Sequence, residues 1–335
     1  MIKVHILHAG INHPSPYFYN FCNYLKKYAD FEYVVDSNLP EVSPEDKGVI
    51  YFNRLKRFYD SNDINIANSF LDKIDNLKSM GWKIVWTLHN FYPIDRTLTN
   101  VDTFVTKKFI NKCDLVFTLS ECLKKSIKEN FGIDAINHGM GFNILDNYFN
   151  KNIIDYKKDK FTFTFVGNIY KYKMLDKIID EVSMFNECNL VIAGTESKNA
   201  NVHIEELIKG KDNIYFYNGF VGIDDWNKIS EFTDCFISLY DYSIEAFKYG
   251  LFPSNCINIY NLGIPCISND HESIREMLDD DQMIYFNDID ENGLYNAIKY
   301  ALKHKSAKKN NNVLDRYSWD KQIEIFTKGV RGLYE

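Results

Sequence analysis

The chain has 335 residues, a length that favours two domains over one hydrophobic core. Its content of 45% hydrophobic and 25% charged residues is typical of a globular protein. No apolar run approaches the ~18 residues of a membrane-spanning helix. The net charge of −7 arises in residues 151–335, because basic and acidic residues balance in residues 1–150. An acidic chain binds nucleic acid poorly, so we expect no nucleic-acid partner.

The N-terminal stretch and the cysteines both favour a cytoplasmic protein. The N-terminal stretch "MIKVHILHAG" is too short in its apolar part for a signal peptide, and it predicts a first strand. The seven cysteines include no CxxC pair and no metal-like spacing. We therefore expect reduced, buried thiols.

Strand-like and helix-like segments alternate along the first half of the chain. This alternation predicts a doubly wound parallel sheet. The predicted strands are 3–8, 31–36, 48–52, 83–88, 114–119 and 134–138, and the predicted helices are 16–29, 63–80, 103–112 and 121–130.

The alternation lapses at residues 140–160, which are polar and suit a linker, and then restarts. The strands predicted after the linker are 161–167, 188–194, 213–219, 234–240, 265–268 and 283–286, and the helices are 173–184, 201–209, 224–232, 254–262, 271–279 and 291–303. The fold class is therefore α/β, with two Rossmann-like domains in tandem. We expect a cleft lined by the carboxyl ends of both sheets, where ligands bind in such folds.

A buried strand in the first half ends on a polar pair. Residues 83–88 are mostly apolar and β-favouring, and His89 and Asn90 follow them. A histidine at a strand end can simply hydrogen-bond a nearby carbonyl. It can also act on a ligand at the carboxyl edge of the sheet, with Asp95 as its partner or as a base.

The loop after the first strand offers further polar candidates. Gly10 permits a close approach of the backbone, and His13 projects a polar group near the strand end. A plain polar loop stiffened by prolines explains these residues equally well. His138 also ends a strand and points to the same edge, whereas His8 is better explained as a core residue.

The first strand and turn of the second half suit a phosphate. Gly167 lets the backbone approach closely, and Asn168, Lys171 and Lys173 follow it. We expect a helix to begin near Lys173, so that its N-terminus and the lysines together attract an anion. Lysines at a helix start are also commonly just solvated.

A second helix start has the same potential. Pro253 and Ser254 are typical first-turn and capping residues, and the predicted helix ends before Gly263. We expect free N–H groups from Ser254, Asn255 and Cys256 here that could hold a pyrophosphate. A plain capped helix would leave Asn255 and Asn258 without a role in a segment that otherwise looks buried.

Taken together, the second half resembles family-4-like glycosyltransferases of the GT-B fold. The resemblance covers residues 83–335 in order; it is strong as an ensemble and weak for each motif alone. It lies in Gly167 followed by Lys173, in "VIAG" (191–194), "NIYFYNGFV" (213–221), "FTDCFISLY" (232–240) and "NLGIPCIS" (261–268), and in the closing segment 316–335. The stretch "VWTLHN" (85–90) is similar to the first-domain histidine loop of related transferases.

The resemblance implies a domain organisation and a reaction. It implies an acceptor-side domain over residues 1–155, a nucleotide-sugar domain over 156–317 and a C-terminal helix, 318–335, that crosses back to the first domain. It implies transfer of a sugar from a UDP- or GDP-sugar to a saccharide or lipid-linked acceptor. No metal or other cofactor is expected, because no Asp-x-Asp follows a strand at the predicted cleft. Helix dipoles and lysines would stabilise the leaving diphosphate.

The implied site residues fall into two groups. The catalytic candidates are His89, Asp95 and His13. The donor-binding candidates are Gly10, Gly167, Asn168, Lys171, Lys173, Gly194, Thr195, Phe220, Pro253, Ser254, Asn255 and Asn258.

The chain also departs from the family pattern. Asn258 and Gly250 stand where many members carry two glutamates, with Glu245 nearby but out of register, and the arginine of the phosphate turn is missing. A catalytically inactive partner that stabilises an active transferase therefore stays an alternative, as do a GT-B epimerase and a phosphorylase. A nicotinamide-dependent dehydrogenase ranks low, because no GxGxxG follows the first strand of either domain.

Three basic clusters in the first half suggest contact with a membrane surface. They are residues 53–58, Lys107–Lys108 with Lys112, and Lys124–Lys125. Each is explained by a solvated surface, and together they would also suit anionic lipid headgroups. The expected location is cytoplasmic, with peripheral contact to the plasma membrane as the further hypothesis.

Overall fold

The structure is a computed structural model of the 335-residue chain. It describes residues 1–8, 16–43, 45, 47–94, 97–141, 154–196, 202–250, 252–278, 282–286, 292–304 and 317–335. The chain divides into two compact units. The first comprises Met1–Asn143, Glu245–Phe252 and Tyr317–Glu335, and the second comprises Ile144–Ile244 and Pro253–Arg316.

The first unit is built on a parallel sheet. Its described strands are β1 (Ile2–Leu7), β2 (Phe31–Asp36), β3 (Gly48–Phe52), β4 (Lys83–Leu88), β5 (Leu115–Thr118) and β6 (Ile136–Asn137), in the order β2-β1-β3-β4-β5-β6. The helices along them are α1 (Pro16–Leu25), α2 (Ile64–Ser79), α3 (Asn100–Ile110) and α4 (Glu121–Phe131), with a 3₁₀ turn at Leu55–Arg57. β3 is buried along its whole length, as expected for an inner strand covered on both faces.

Local chemistry sets the helix ends. Thr99 and Asp102 form a capping box that starts α3, three residues before the helix predicted from apolar spacing. Ser120 accepts a hydrogen bond from the N–H of Leu123 and so caps α4. Gly132 ends α4 in the left-handed conformation, with φ at 68°.

The second unit repeats the plan. Its described strands are β7 (Phe161–Val166), β8 (Cys188–Gly194), β9 (Ile214–Asn218), β10 (Cys235–Ile237), β11 (Cys266–Asn269) and β12 (Met283–Phe286), in the parallel order β12-β11-β10-β7-β8-β9. Its described helices are α5 (Leu175–Ser183), α6 (Ile204–Leu207), α7 (Ile223–Phe232), α8 (Asn255–Leu262), α9 (Glu272–Met277) and α10 (Gly293–Lys303), with a 3₁₀ turn at Lys171–Lys173.

The last helix, α11 (Trp319–Arg331), belongs to the first unit. Trp319, Ile323, Phe326 and Val330 form its buried stripe at helical spacing. The ring of Phe326 lies 4.9 Å from that of Phe21 on α1, measured between centroids. The aromatic contact fixes α11 against α1.

Each sheet has one point at which the chain reverses its direction of winding. In the first unit this switch lies between β1 and β3, and in the second unit it lies between β7 and β10. Ligands of open α/β sheets bind outside the carboxyl ends of the strands at such a point. The residues that follow β1, β3, β7 and β10 are therefore the first places to search for a site.

Candidate functional site

In the first unit, His89 lies at the carboxyl end of β4 and contacts the residue that ends β3. Its Nε2 lies 2.6 Å from Oδ1 of Asn53, which is buried. The ring of Tyr17, on α1, packs against the imidazole edge-on, with the centroids 4.7 Å apart. The histidine is therefore held by one polar and one aromatic contact at the switch-point edge.

Two further histidines lie at the same edge and are almost fully buried. His138 Nε2 lies 3.2 Å from the hydroxyl of Thr87, which also accepts a hydrogen bond from the hydroxyl of Tyr51. His8 stacks on Phe18 with the ring centroids 3.8 Å apart. His8 is thus packed in the core, in agreement with the interpretation of its strand position.

Burial favours the neutral imidazole of His89 and of His138. Desolvation is the largest cause that lowers the pKa of His89 well below its ordinary value, and the charges of Arg54, His138 and His8 act in the same direction. Burial lowers the pKa of His138 to about 3. A neutral His89 offers one N–H and one lone pair, so it can donate and accept a hydrogen bond at once.

In the second unit, two strand ends approach each other through glycines. The N–H of Gly167, after β7, donates to the carbonyl of Ala193, at 2.9 Å. A Cβ on Gly194 would lie 1.8 Å from the carbonyl oxygen of Gly167, so no side chain fits there. Gly167 has a φ of 130°, and a Cβ on it would lie 2.3 Å from the side-chain nitrogen of Asn255. This close approach requires glycine at both positions.

Asn255, the first residue of α8, fastens that helix to the same turn. Its side-chain amide donates to the carbonyl of Val166 at 2.7 Å. The structure therefore brings together three of the predicted donor-binding residues, Gly167, Gly194 and Asn255, at the carboxyl ends of β7 and β8.

Lys173 is a buried lysine at this edge, and two aromatic rings surround its ammonium group. It is 7% exposed, and its Nζ lies 3.6 Å from the centroid of the Tyr240 ring and 5.5 Å from that of Tyr172. Within the described residues its ammonium group makes neither an ion pair nor a hydrogen bond. Desolvation lowers its pKa to about 7, against an opposing effect of Cys256.

The aromatic support of Lys173 is itself fixed. The side chain of Asn269 donates to the carbonyl of Tyr240 at 2.6 Å and accepts from its N–H at 3.2 Å. The N–H of Asp241 donates to the carbonyl of Tyr172 at 2.8 Å. These bonds join the 3₁₀ turn after β7 to the segment after β10, across the switch point of the second sheet.

Three details of the predicted phosphate site are wrong. Lys173 lies in the 3₁₀ turn, and α5 begins at Leu175, because Met174 adopts a left-handed conformation between them. Ser254 stands at the cap position of α8, but its backbone is helical and its side chain makes no capping hydrogen bond. The N–H of Cys256 is not free, since it donates to the carbonyl of Pro253 at 2.9 Å.

The remaining predicted residues are more scattered in environment. Asn168, Lys171 and Thr195 are exposed, Phe220 is half-buried, and Asn258 is buried with no hydrogen-bond partner for its Oδ1 among the described residues. Gly10, His13 and Asp95 lie outside the described residues, so their predicted roles stay predictions.

Sequence reasoning missed Asn53, Tyr17 and Tyr240. The rule that selected His89, a polar residue directly after a buried strand, would also have selected Asn53 after β3. Tyr17 and Tyr240 carry no comparable signal, since aromatic residues in apolar segments are usually core.

In the described part of the chain, no group of three or more His, Cys, Asp or Glu side chains could hold a metal ion. No described helix is long and apolar enough to cross a membrane.

Known structures share this fold over the whole chain. HepE of Anabaena, crystallised with UDP, superposes with a TM-score of 0.69 at 12% identity, over 99% of this chain and 100% of that one. Sucrose-phosphate synthase of Thermosynechococcus elongatus gives 0.71 at 12% identity, over 100% and 99%. The lipopolysaccharide outer core galactosyltransferase WaaB gives 0.62 at 12% identity, over 99% of each. A comparison with curated proteins finds no significant match.

The fold and its paired Rossmann-like sheets are those of GT-B glycosyltransferases. The sequence model of the family described as "Glycosyl transferases group 1" matches residues 146–317, slightly more than half of the chain. The chain belongs to this family and is a glycosyltransferase.

Proposed function

We propose that the protein transfers a hexose from a UDP- or GDP-sugar to a saccharide or lipid-linked acceptor without a metal ion. One observation carries the donor half of this proposal. Lys173 is a buried lysine beside the Gly167 turn, and no carboxylate in the described residues pairs with its ammonium group. Burying an unpaired charge costs free energy. A buried, unpaired ammonium group is therefore a candidate binding group for an anionic ligand, which would offset that cost.

A diphosphate suits this position chemically. Its oxygens accept charge-assisted hydrogen bonds, and Lys173 provides a donor at the carboxyl end of β7. The turn at Gly167 and Gly194 lies at the carboxyl ends of β7 and β8, the side of a parallel sheet on which ligands bind. In a transfer reaction, the same ammonium group would stabilise the charge that develops on the leaving nucleoside diphosphate. The UDP and UDP-glucose complexes of HepE agree with this ligand class.

For the first unit we propose that His89 contacts the sugar during transfer. The support is its position at the switch-point edge, its neutral state and its contact with Asn53. Asp95 and His13 stay candidates for a partner or a base.

One observation favours a catalytically inactive partner subunit as the second candidate. Asn258 occupies the position where the family resemblance places a glutamate, and it is a buried amide whose Oδ1 has no partner in the described part of the chain. Such a protein would keep the fold and a nucleotide site while lacking transfer. An epimerase would instead convert the sugar nucleotide without an acceptor, and a phosphorylase would move a glycosyl group from a saccharide to inorganic phosphate.

The test combines binding and turnover on matched lysine variants. UDP, GDP, ADP and NAD are titrated into the wild type by calorimetry, and the tight nucleotide is then titrated into Lys173→Met and Lys211→Met. Lys211 pairs with Asp180 before β9, at the opposite edge of the sheet. We expect Lys173→Met to lose about 1.5–3 kcal/mol of binding free energy, and Lys211→Met to bind normally.

Each outcome assigns a class. Loss confined to Lys173→Met, together with release of nucleoside diphosphate in the presence of a saccharide acceptor, supports the transferase. Binding without any release across a panel of UDP- and GDP-sugars supports the inactive partner. Equal affinity of both variants for the nucleotide removes Lys173 from the donor site.

We also propose peripheral contact with an anionic membrane. The support is the segment that contains the exposed Arg54 and Arg57, which is followed by the exposed Ile64 and Ile66 of α2. In the other two clusters, Lys112 pairs with Asp75 and Lys124 with Glu121. Vesicles that contain anionic lipid should bind the protein at low salt and release it at high salt. Equal binding to neutral vesicles would leave this segment as ordinary surface.

A further inference from the structure

Asn53 is a buried polar residue that contacts His89. It follows β3 directly and is 3% exposed. Its Oδ1 lies 2.6 Å from Nε2 of His89, which follows the neighbouring strand β4. The contact joins the two strand ends beside the switch point of the first sheet.

The chemistry of this contact fixes where the proton of the imidazole lies. An amide oxygen can only accept a hydrogen bond, so Nε2 must carry the proton. Burial disfavours the charged imidazolium, and Nδ1 is then left with its lone pair. Nδ1 makes no hydrogen bond to any residue in the described part of the chain.

The ring is also fixed in direction. Tyr17 meets the imidazole at an interplanar angle of 78°, which restrains rotation of the ring about its bond to Cβ. Asn53 thus fixes which ring nitrogen carries the proton, and Tyr17 fixes the orientation of the ring plane. A histidine that merely satisfied a buried asparagine would need only the first of these contacts.

We propose that Asn53 is a positioning residue that holds His89 as the Nε2–H tautomer and presents the Nδ1 lone pair as a hydrogen-bond acceptor for the reacting sugar. This inference rests on the proposed role of His89. It adds that His89 accepts a proton or a hydrogen bond through Nδ1 and does not act as an acid through Nε2, which is occupied by Asn53.

The tautomer can be measured without any activity. The full chain is labelled with ¹⁵N-histidine, and the ring nitrogens of His89 are assigned from the spectrum of a His89→Gln variant. We expect Nδ1 to resonate as an unprotonated nitrogen and Nε2 as a protonated one near neutral pH. A protonated Nδ1, or an imidazolium at neutral pH, overturns the proposal whatever the enzyme catalyses.

Two variants of Asn53 then distinguish a role in positioning His89 from a role in packing alone. Asn53→Asp keeps an acceptor oxygen, so we expect the Nε2–H form to persist and the pKa of His89 to rise beside the new carboxylate. The other charged or titratable groups that act on this imidazole, Arg54, His138 and His8, are unchanged in the variant. Asn53→Leu removes the acceptor at similar volume, and we expect mixed tautomers of His89.

Kinetics complete the test. With Asn53→Leu we expect kcat to fall about 10- to 100-fold, the range seen when the hydrogen-bonding partner of a functional imidazole is removed from a metal site. KM for the donor should stay near its wild-type value, and Asn53→Asp should restore most of kcat. Asn189→Leu is the matched control, since Asn189 is equally buried and bonds Tyr156 and Asp159 at the amino edge of the second sheet. It should melt earlier with its kcat retained.

The outcomes distinguish this inference from the proposed function. If the tautomer is as expected but no transfer occurs with any donor, the positioning by Asn53 stands and the transferase proposal fails. If transfer occurs and Asn53→Leu keeps its kcat in a folded protein, the positioning role fails and the transferase proposal stands.

Discussion

The side chain of Asn255 donates a hydrogen bond to the carbonyl of Val166 across 2.7 Å, although the two residues are 89 positions apart. The bond joins the start of α8 to the end of β7. The same asparagine lies over Gly167, where a Cβ would leave it no room. A single amide therefore sets the distance between the glycine turn and the helix that faces it.

Replacing Asn255 should loosen this turn. Asn255→Ala leaves the Val166 carbonyl without its donor, and we expect a loss of about 1 kcal/mol in the free energy of unfolding. Nucleoside diphosphate affinity should fall as well, because the turn that it approaches is no longer fixed. Asn130→Ala removes an amide hydrogen bond on the exposed face of α4 and serves as the control for both measurements. Equal melting and equal affinity in the two variants would dismiss the contact as incidental.

The buried Lys173 should lower the free energy of unfolding relative to a variant with an uncharged side chain at this position. Burial lowers its pKa from 10.5 to about 7. Between these two values the unfolded chain holds a proton that the folded chain has released, so rising pH favours the folded state. Below about pH 7 both states are protonated, and the full cost of the buried charge is present.

A methionine at this position removes that cost. We expect Lys173→Met to melt at a higher temperature than the wild type at about pH 6, with the gap narrowing towards about pH 10. Cys256, Tyr240 and Tyr172 face the ammonium group and are common to both proteins. Melting curves at a series of pH values measure the gap. A gap that is independent of pH, or a less stable variant at about pH 6, would contradict the burial of an unpaired charge.

His89 should matter for turnover more than for stability. We expect His89→Ala to lower turnover ~10²-fold or more, the usual scale for a positioned acid, base or hydrogen-bonding group. Donor affinity should change little. His5 is the matched control, because it is a buried histidine paired with Asp36 at 2.6 Å, and His5→Ala should melt early with its rate retained. The reverse pattern would make His89 structural and move the search to Asp95 and His13.

Chelation should leave the reaction intact. Lysine and backbone groups are proposed to hold the diphosphate, so its charge is balanced without a cation. We expect the rate of transfer with EDTA to equal the rate without it. Full loss of activity that manganese or magnesium restores would show that a cation takes part.

The alternation of strands and helices was predictable because it depends on local patterns. The buried runs at residues 83–88 and 188–194 and their separation by helices indicate parallel sheets without further information. Helix ends were less accurate, since the capping box at Thr99 and the left-handed Met174 are side-chain and backbone details that apolar spacing does not contain.

The site was predictable only in outline. The rule that ligands sit at strand ends selected His89, one strand away from the switch point of the first sheet, and Gly167, at the switch point of the second. The contacts that give them their properties involve residues distant in sequence, such as Asn53 with His89 and Tyr240 with Lys173. Ser254 shows the opposite case, in which a typical capping residue occupies the cap position without making the bond.

A nucleoside diphosphate is proposed to bind at the Gly167 turn with Lys173 as its cationic partner. An experimental structure of the protein with UDP or GDP, whichever binds more tightly, tests it most directly. We predict diphosphate oxygens within hydrogen-bonding distance of Lys173 Nζ, beside Gly167 and the first turn of α8. A nucleotide whose diphosphate lies away from this turn, with Lys173 still packed on Tyr240, would rule out Lys173 and the Gly167 turn as the diphosphate site.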